Sequence, residues 1–243
     1  ALAYADTWSG RALGAEVSVT LSGPRELVHR ALAQVPDALE EIEQAFSLYR
    51  PTSDLSRLNS TRELNAPNRQ MRALMAHADT AHRITGGLFD PTVQPLWRAL
   101  ATGGDVIQAR TALGWERVRV SKTRIALQDG QALTFNGIAQ GFATDVIRAR
   151  LRAQGATRAL VNIGEQAALG GPFTLGIADP EQGHIGTRTL RDMAIATSSP
   201  SVLMLGEAAH ILGPREETPL WSTVSIEAPT ATMADALSTA AVF

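Results

Sequence analysis

The chain has 243 residues, of which 44% are hydrophobic and 19% are charged, a composition typical of a globular protein rather than a disordered one. Lys and Arg number 22 against 24 Asp and Glu, and the formal net charge of −2 argues against non-specific nucleic-acid binding, which needs a strong basic excess. The absence of cysteine excludes disulfides, thiolate metal sites and cysteine nucleophiles.

The first third of the chain predicts a strand, a long helix and a loop. Residues 15–21 alternate apolar and polar side chains, as a half-buried strand does. From Pro24 to Phe46, apolar residues recur every three or four positions, which predicts a helix. Pro36 is expected to kink or split this helix, and the polar residues 47–67 predict an ordered loop.

The middle of the chain predicts a second helix and a hairpin. The helical pattern over residues 69–84 stops at a pair of glycines, a common C-terminal signal. Residues 88–100 look irregular and aromatic. Residues 118–120 and 124–127 predict a hairpin of two short strands.

The last part mixes strands with two helices. Residues 138–154 predict a helix, because arginines crowd its last turn and a glycine follows it. A short helix is predicted at residues 233–240. Strands are predicted at residues 160–163, 173–177, 190–196 and 222–228. With no internal repeat and no linker, the pattern predicts one α+β domain over residues 1–243.

Two patterns could carry phosphate or metal chemistry. A strand-like segment, residues 132–135, runs across Gly137 into a helix, where free amides attract phosphate. The spacing alone favours a tight turn in which Gly141 allows close packing. Asp235 and Thr239 lie four residues apart, so they share a helix face and offer oxygen atoms that suit Mg²⁺. The alternative is that Asp235 caps the terminal helix.

Three further segments hold candidate side chains. His210 lies at a predicted strand end, where it could act as a general base or be a polar residue satisfied at a sheet edge. Tyr49 follows a helix in a polar segment, and its ring could stack on a flat ring or belong to a turn. Residues 86–97 hold two prolines and two aromatics, which favours a rigid, pocket-forming loop.

In this order, five segments resemble the ApbE family of FAD:protein FMN transferases: FSLYRPTSDLSRLN, TGGLFDPTVQPLW, NGIAQGFATD, HI and ADALSTA. The resemblance covers residues 13–243 and implies a single compact, T-fold-like α+β domain with mixed or antiparallel sheets and packed helices. Gln140 stands where the family usually has Lys, and residues 162–165 (NIGE) replace a Gly-Gly ending. Both features resemble the NosX-type branch, whose members accompany nitrous oxide reduction.

The resemblance also implies a reaction and a site. The reaction is Mg²⁺-dependent transfer of FMN from FAD to a Thr or Ser hydroxyl of an acceptor flavoprotein, with release of AMP. The implied Mg²⁺ ligands are Asp235, Thr239 and the backbone carbonyl of Ala139, and His210 is the implied base. The residues implied around the dinucleotide are Tyr49, which would cover the isoalloxazine, and Ser56, Asn59, Asp90, Thr92, Gly137, Gly141 and Asp145.

The same resemblance implies a NosR-like membrane acceptor and a periplasmic location. No apolar run in this chain is long enough to span a membrane, and the start at Ala1 without a signal-like core is expected of a mature or trimmed form. The family's Asp-Pro-x-Thr-Gly turn after His210 is replaced by residues 211–217, and its Met-Gly-Thr is Leu-Gly-Ala at residues 13–15. Two other functions therefore stay open: a non-catalytic FAD-binding or accessory protein, and an FAD pyrophosphatase that releases FMN and AMP.

Overall fold

The computed structural model describes residues 4–243. The helices in this range are α1 (Arg25–Ala33), α2 (Val35–Phe46), α3 (Asp54–Thr61), α4 (Arg69–Ile84), α5 (Gln94–Thr102), α6 (Val106–Thr111), α7 (Ala139–Ala153) and α8 (Ala231–Ala240). The strands are β1 (Tyr4–Ala12), β2 (Ala15–Gly23), β3 (Glu63–Asn65), β4 (Arg119–Val120), β5 (Arg124–Ala126), β6 (Arg158–Asn162), β7 (Gln166–Leu169), β8 (Phe173–Asp179), β9 (Gly183–Leu190), β10 (Ala194–Ser198), β11 (Met204–Leu205), β12 (Ala208–Ala209) and β13 (Val224–Ala228). None of the helices in residues 4–243 is both long and apolar enough to cross a membrane.

Several predicted elements are confirmed. The helix predicted at 69–84 has those bounds, and α7, β6, β8 and α8 match their predictions to within two residues. The helix predicted from Pro24 is divided at Gln34 into α1 and α2. Pro36 lies in the first turn of α2, where backbone N–H groups have no partner within the helix, so proline is tolerated there. In the interior of one long helix it would remove a hydrogen bond, and the chain therefore starts a new helix at this point.

The predicted loops over residues 47–67 and 88–100 are wrong, because both contain helices. In the first, the hydroxyl of Ser53 accepts the backbone N–H of Ser56 at 3.0 Å and so caps α3, which β3 follows. In the second, Pro95 occupies the first turn of α5, a position that tolerates proline. Polar and proline-rich sequence therefore marks helix starts here rather than irregular chain.

Two predicted strands are also wrong. Residues 190–196 are not one strand, because β9 ends at Leu190 and β10 begins at Ala194. Asp192 between them has a φ of 54°, a left-handed conformation that reverses the chain. Residues 132–135 form no strand. The backbone of Leu133 is bonded instead to the side-chain amide of Asn59, which replaces a strand partner.

The chain folds into two compact units, each assembled from separate stretches of sequence. The first comprises the described residues through Glu43 together with Ile138–Thr197 and Ser225–Ser238. The second comprises Gln44–Gly137, Ser198–Val224 and Thr239–Phe243.

The first unit is organised around a sheet with the strand order β1-β2-β6-β7-β10-β13. Neighbouring strands from β1 to β10 pair antiparallel, in agreement with the predicted α+β class. Val17, Val19 and Leu21 of β2 point to one buried face, as the alternation of residues 15–21 predicts. Helix α7 packs on β6 and β7 and buries Ile147 against this layer.

Small side chains hold α8 close to its neighbours in this unit. Two buried alanine clusters join the helix to the sheet; their members are Ala167, Ala194 and Ala231, and Ala196, Ala228 and Ala234. Helix α7 approaches equally closely. A Cβ on Gly141 would lie 2.8 Å from the Cβ of Asp235 and against the carbonyl oxygen of Ala231, so only glycine fits at this crossing.

Asp145 of α7 caps the start of α8. Its carboxylate accepts the backbone N–H groups of Ala231 at 3.0 Å and Thr232 at 2.8 Å, and the Thr232 hydroxyl at 2.6 Å. It also pairs with Arg148 at 2.9 Å. N–H groups in the first turn of a helix lack intrahelical partners, so this carboxylate caps α8 together with the hydroxyl of Thr230, which accepts the backbone N–H of Met233 at 3.4 Å.

The second unit buries its apolar residues between helices and a small sheet with the strand order β3-β5-β4. The predicted hairpin is thereby confirmed as β4 and β5. Leu58 of α3 and Leu74 of α4 are fully buried, and the rings of Phe46 and Phe135 meet edge to face at 5.8 Å. Asn59 both donates to the carbonyl of Leu133 and accepts its N–H, which fixes the segment before α7 onto α3.

We expect Asp145→Ala to lower the free energy of unfolding by about 2 kcal/mol or more, because it leaves the first-turn N–H groups of α8 and the Arg148 guanidinium without this acceptor. Urea denaturation followed by circular dichroism measures the loss. The control is Asp129→Ala, which removes only an exposed pair with Arg62 and should cost less than about 1 kcal/mol. Equal losses in the two variants would contradict the capping role.

Candidate functional site

A cavity of about 410 Å³ in the second unit brings together three of the predicted dinucleotide residues. Its lining includes Tyr49, Ser56, Asn59, Gln94, Trp97 and Asn136. The Tyr49 side chain is 83% exposed, so its ring offers an open aromatic face. Trp97 was not singled out as a binding residue, although it ends a segment predicted to form a pocket.

Local hydrogen bonds explain how the wall of this cavity is held. The Ser56 hydroxyl donates to the carbonyl of Ser47 at 3.1 Å, and the Ser53 hydroxyl donates to the same carbonyl at 2.6 Å. The Asn59 amide is occupied by the backbone of Leu133. Ser56 and Asn59 therefore shape the wall near Tyr49 as well as facing the cavity.

Asp90 and Thr92 lie outside this cavity and are bonded to each other. One Asp90 carboxylate oxygen accepts the Thr92 backbone N–H at 2.8 Å and its hydroxyl at 2.6 Å. The Thr92 oxygen in turn accepts the backbone N–H of Gly114 at 2.8 Å. Asp90 lines a second cavity of about 510 Å³ in the same unit, near Gly87 and Arg215. The structure thus separates this predicted pair from Tyr49.

His210 follows β12 and is held through one ring nitrogen. Its Nδ1 lies 3.0 Å from the carbonyl oxygen of Pro200 and 3.1 Å from that of Leu203. A carbonyl oxygen only accepts hydrogen bonds, so Nδ1 carries the proton and the neutral ring has its lone pair on Nε2. That tautomer is the one a general base needs, with its basic nitrogen directed away from the backbone that orients it.

The segment after His210 is stabilised by ion pairs. The Arg215 guanidinium donates to the Glu217 carboxylate at 3.0 Å and to the carbonyl of Gly86 at 3.0 Å. Arg110 pairs with Glu216 at 3.2 Å. These contacts fix residues 211–217 without the Asp-Pro-x-Thr-Gly turn of the family.

Asp235 of α8 is a buried carboxylate in the first unit, 3% exposed. One of its oxygens accepts the backbone N–H of Gly141 at 2.9 Å. Burial raises the pKa of Asp235 well above its ordinary value of 3.8, because water no longer solvates the charge, and the Gly141 hydrogen bond only partly offsets this. Within residues 4–243, no Lys or Arg forms an ion pair with it.

Glu165, between β6 and β7, is a second buried carboxylate that sequence reasoning did not select. It is 9% exposed and accepts the backbone N–H of Thr197 at 3.1 Å. Burial, and then the like charge of Asp235, raise its pKa well above 4.5. The only signal in the sequence is its place in the NIGE segment, where a charged residue replaces the expected glycine.

The other predicted metal ligands are placed as follows. Ala139 begins α7 in the first unit and is 6% exposed. In the second unit, the Thr239 hydroxyl lies 3.5 Å from the carbonyl oxygen of Gly137 and 3.5 Å from the hydroxyl of Ser198. A Cβ on Gly137 would come within 2.9 Å of Thr239. The described residues contain no cluster of three or more His, Cys, Asp or Glu suited to a metal, so hydroxyl and backbone oxygens must complete any cation site.

The raised pKa values predict how the stability of the metal-free protein depends on pH. A folded-state pKa above the unfolded value means that the folded protein binds protons more tightly than the unfolded chain does. The stability that Asp235 and Glu165 contribute in this way is fully present below their ordinary pKa values of 3.8 and 4.5, and it is lost as the pH rises through their raised folded-state pKa values. In a chelator, we expect the free energy of unfolding to fall between about pH 5 and about pH 8. Asp235→Asn should flatten this decline.

Denaturant titrations of both proteins across that range test the expectation. Glu26→Asn serves as the control, because Glu26 is an exposed carboxylate in the same unit, and it should leave the slope unchanged. Parallel pH profiles for the wild type and Asp235→Asn would contradict the assignment of a strained, buried charge to this position.

Comparison with known proteins identifies relatives along most of the chain. A protein from Haemophilus influenzae named FAD:protein FMN transferase is 23% identical over 95% of this chain and 78% of its own length. A protein of the same name from Klebsiella pneumoniae is 29% identical over 63% of this chain and 54% of its own length. A third, from Vibrio cholerae, is 27% identical over 68% of this chain and 56% of its own length.

Solved structures match the fold. The apo crystal structure of the Pseudomonas stutzeri flavinyl transferase ApbE has a TM-score of 0.84 and 25% identity, covering 99% of this chain and 84% of that one. An ApbE protein from Thermotoga maritima has a TM-score of 0.87 at 24% identity over 98% of this chain and 86% of its own. These likenesses confirm the predicted α+β class. The ApbE family model matches residues 13–243, and the chain therefore belongs to the ApbE family.

Proposed function

We propose that this protein transfers the FMN half of FAD to a Ser or Thr hydroxyl of an acceptor protein and releases AMP. The family and three relatives named FAD:protein FMN transferase support transferase activity with FAD as the substrate. The observation that carries the proposal is Asp235, a buried carboxylate without a cationic side-chain partner among the described residues, bonded to the first turn of α7. Phosphoryl transfer from a negatively charged pyrophosphate depends on a cation that neutralises the charge, and a buried carboxylate without a cationic partner can bind one.

The residues present fit a magnesium ion. A buried carboxylate whose pKa is raised by desolvation gains stability when a cation replaces the lost water, and Mg²⁺ prefers oxygen ligands. We propose that Asp235 and the Ala139 carbonyl of the first unit hold it, and Thr239 stays a ligand that the family resemblance implies. When bound, Mg²⁺ supplies charge neutralisation for the pyrophosphate and for the departing AMP.

His210 is the proposed base. The acceptor hydroxyl oxygen forms a bond to the FMN-side phosphorus, the bond from that phosphorus to the bridging oxygen breaks, and AMP leaves with the electron pair. The hydroxyl proton goes to Nε2 of His210, since Nδ1 is engaged with the carbonyls of Pro200 and Leu203. Those two carbonyls keep the ring in one orientation, with Nε2 as the nitrogen that accepts the proton.

The remaining proposed roles concern the dinucleotide. Tyr49 provides a flat, exposed ring for the isoalloxazine, in a wall shaped by Ser56 and Asn59. Gly137 makes room for Thr239 and Gly141 makes room for Asp235, because a Cβ on either glycine would lie within 3 Å of that residue. The hydrogen bonds of three further predicted residues lie within the protein, so we propose that they support the site by fixing its frame; these are Asp90, Thr92 and Asp145.

The finer parts of the proposal come from the resemblance. They are a role in nitrous oxide reduction like that of NosX-type proteins, a NosR-like flavoprotein as acceptor and a periplasmic location. A second candidate function is favoured by the altered segment after His210, where the Arg215–Glu217 pair replaces the family's turn. This candidate is a non-catalytic FAD-binding or accessory protein.

The decisive experiment mixes the purified chain with FAD, Mg²⁺ and an acceptor domain carrying a flavinylation motif, and follows the acceptor mass. We expect a gain of one FMN, lost when a chelator is added. His210→Gln should slow the transfer about 10²- to 10⁴-fold, because it removes the proton acceptor, and Asp235→Asn should slow it at least as much. The matched control, His184→Gln, alters an exposed histidine of β9 and should leave the rate unchanged.

Three other outcomes are informative. Retention of FAD on a desalting column without transfer would favour the accessory protein. FMN and AMP that accumulate without an acceptor would favour the pyrophosphatase. A normal transfer rate for His210→Gln would remove the base role from His210.

Tyr49→Ala should weaken FAD binding about three- to tenfold, because it removes the exposed ring that stacks on the flavin. Flavin fluorescence titration measures the dissociation constant. The control is Tyr4→Ala, since Tyr4 belongs to the other unit and stacks on His29. Equal affinities for the wild type and Tyr49→Ala would place the flavin elsewhere.

A further inference from the structure

The chain segment that holds His210 also exposes three consecutive apolar residues. Val202 ends a short 3₁₀ turn that begins at Pro200, and Leu203 leads into Met204 of β11. Each of the three is exposed over about half of its surface or more. Single exposed apolar residues are common on soluble proteins, whereas a contiguous group marks a surface that another molecule covers. We call Val202, Leu203 and Met204 the apolar patch.

The apolar patch and the proposed base belong to one hydrogen-bonded structure in the second unit. The carbonyl oxygen of Leu203 accepts the backbone N–H of His210 at 3.0 Å and lies 3.1 Å from its Nδ1. The carbonyl oxygen of Pro200 lies 3.0 Å from the same nitrogen. The residues that orient the ring are therefore the patch itself and the turn that leads into it, so a molecule that covers the patch lies beside the base.

Strand β11 offers an open edge next to the base. In the part of the chain that the structure describes, β11 pairs with β12 and with no other strand. Opposed residues of an antiparallel pair alternate between hydrogen-bonded and non-bonded positions. His210 bonds to Leu203, so the next pair, Met204 with Ala209, is non-bonded, and the N–H and carbonyl of Met204 point away from β12. Such an edge can accept an extended segment of another protein.

A second exposed apolar pair extends this surface. Leu220 and Trp221 are both exposed and belong to the same unit. The hydroxyl of Thr223, two residues after Trp221, lies 2.9 Å from the hydroxyl of Ser199. Ser199 directly precedes Pro200, so the segment that carries this pair is joined to the segment that carries the apolar patch.

We infer that the acceptor protein docks on the apolar patch, with an extended segment along the open edge of β11 and apolar side chains beside its Ser or Thr. The inference rests on the proposed function, which brings the hydroxyl of a protein to Nε2 of His210. A second copy of this chain on the patch would cover the base, and the flavin ring has its proposed place at Tyr49. The acceptor is therefore the occupant that fits the reaction. Main-chain hydrogen bonds supply affinity in this mode, and side-chain contacts supply specificity.

Isothermal titration of the acceptor domain into the full chain without FAD measures docking apart from chemistry. Changing Val202→Glu and Met204→Glu together should raise the dissociation constant about tenfold or more, because two apolar contacts are replaced by charges that lose water on binding. The paired change Val202→Ser and Met204→Ser should weaken binding without adding charge. The control is Val120→Glu of β4, which should bind normally, since Val120 is 50% exposed against 49% for Met204.

Two further measurements separate docking from a structural effect. In the transfer assay, the two Glu substitutions should raise the KM for the acceptor by a similar factor and leave kcat and the dissociation constant of FAD unchanged. A synthetic peptide of the flavinylation segment tests the addition of a strand. Alternate N–H groups of a strand point to the same edge, so methylation of one alternate set of peptide nitrogens should abolish binding and methylation of the other should not.

The outcomes distinguish this inference from the proposed function. Equal acceptor affinities for the wild type and the double Glu variant would overturn the docking surface and leave the transferase activity intact. Binding that depends on the patch, in a wild type that transfers no FMN, would support the docking surface and overturn the proposed function. A wild type that does not bind the acceptor would overturn the docking surface. So would a dimer in sedimentation that the double Glu variant converts to a monomer, because a second copy would then occupy the patch.

Discussion

The starts of α7 and α8 cap each other, and the chemistry proposed for the first unit depends on this reciprocal pairing. Asp235 of α8 accepts the N–H of Gly141 in the first turn of α7, and Asp145 of α7 accepts the N–H groups of Ala231 and Thr232 in the first turn of α8. Each helix thereby satisfies orphan donors of the other. The arrangement requires two backbones to come so close that Gly141 has no room for a Cβ.

This pairing also explains why Asp235 tolerates burial. A hydrogen bond from a backbone N–H stabilises the ionised carboxylate, while removal from water opposes ionisation more strongly. The balance leaves a carboxylate that is oriented before any ligand arrives and that gains from a positive charge. In the second unit, His210 is prepared in a similar way, since two backbone carbonyls select its tautomer before a substrate is present.

Sequence reasoning identified the periodic elements and missed features that depend on contacts distant in the chain. Helix α4 was predicted to the residue because its apolar stripe and glycine stop are local signals. Helix α3 was missed because its polar composition resembles a loop, although Ser53 is a standard N-cap. Glu165 was missed for a different reason. A glutamate in a strand turn is ordinarily exposed, and only the folded chain shows that this one is buried.

The structure brings some of the predicted site residues together and separates others, and their distance along the chain explains the difference. Tyr49, Ser56 and Asn59 share a cavity because they lie on one helix and the segment before it, so sequence proximity was a sound guide. Asp90 and Thr92 follow a different pattern, since an aspartate before a proline caps its own turn and uses its oxygen locally. The polar residues of a motif therefore divide into those that face the cavity and those that build its walls.

The alanine clusters beneath α8 have a consequence for how this protein can vary. Methyl groups at Ala196, Ala228 and Ala234 act as spacers that set the depth of the helix above the sheet, and with it the height of the Asp235 carboxylate. Alanine side chains, which have no reactive group, thus determine how far the Asp235 carboxylate lies from the sheet. A single added methylene at one of these alanines would lift the helix, so the most restrictive positions for activity need not be the polar ones.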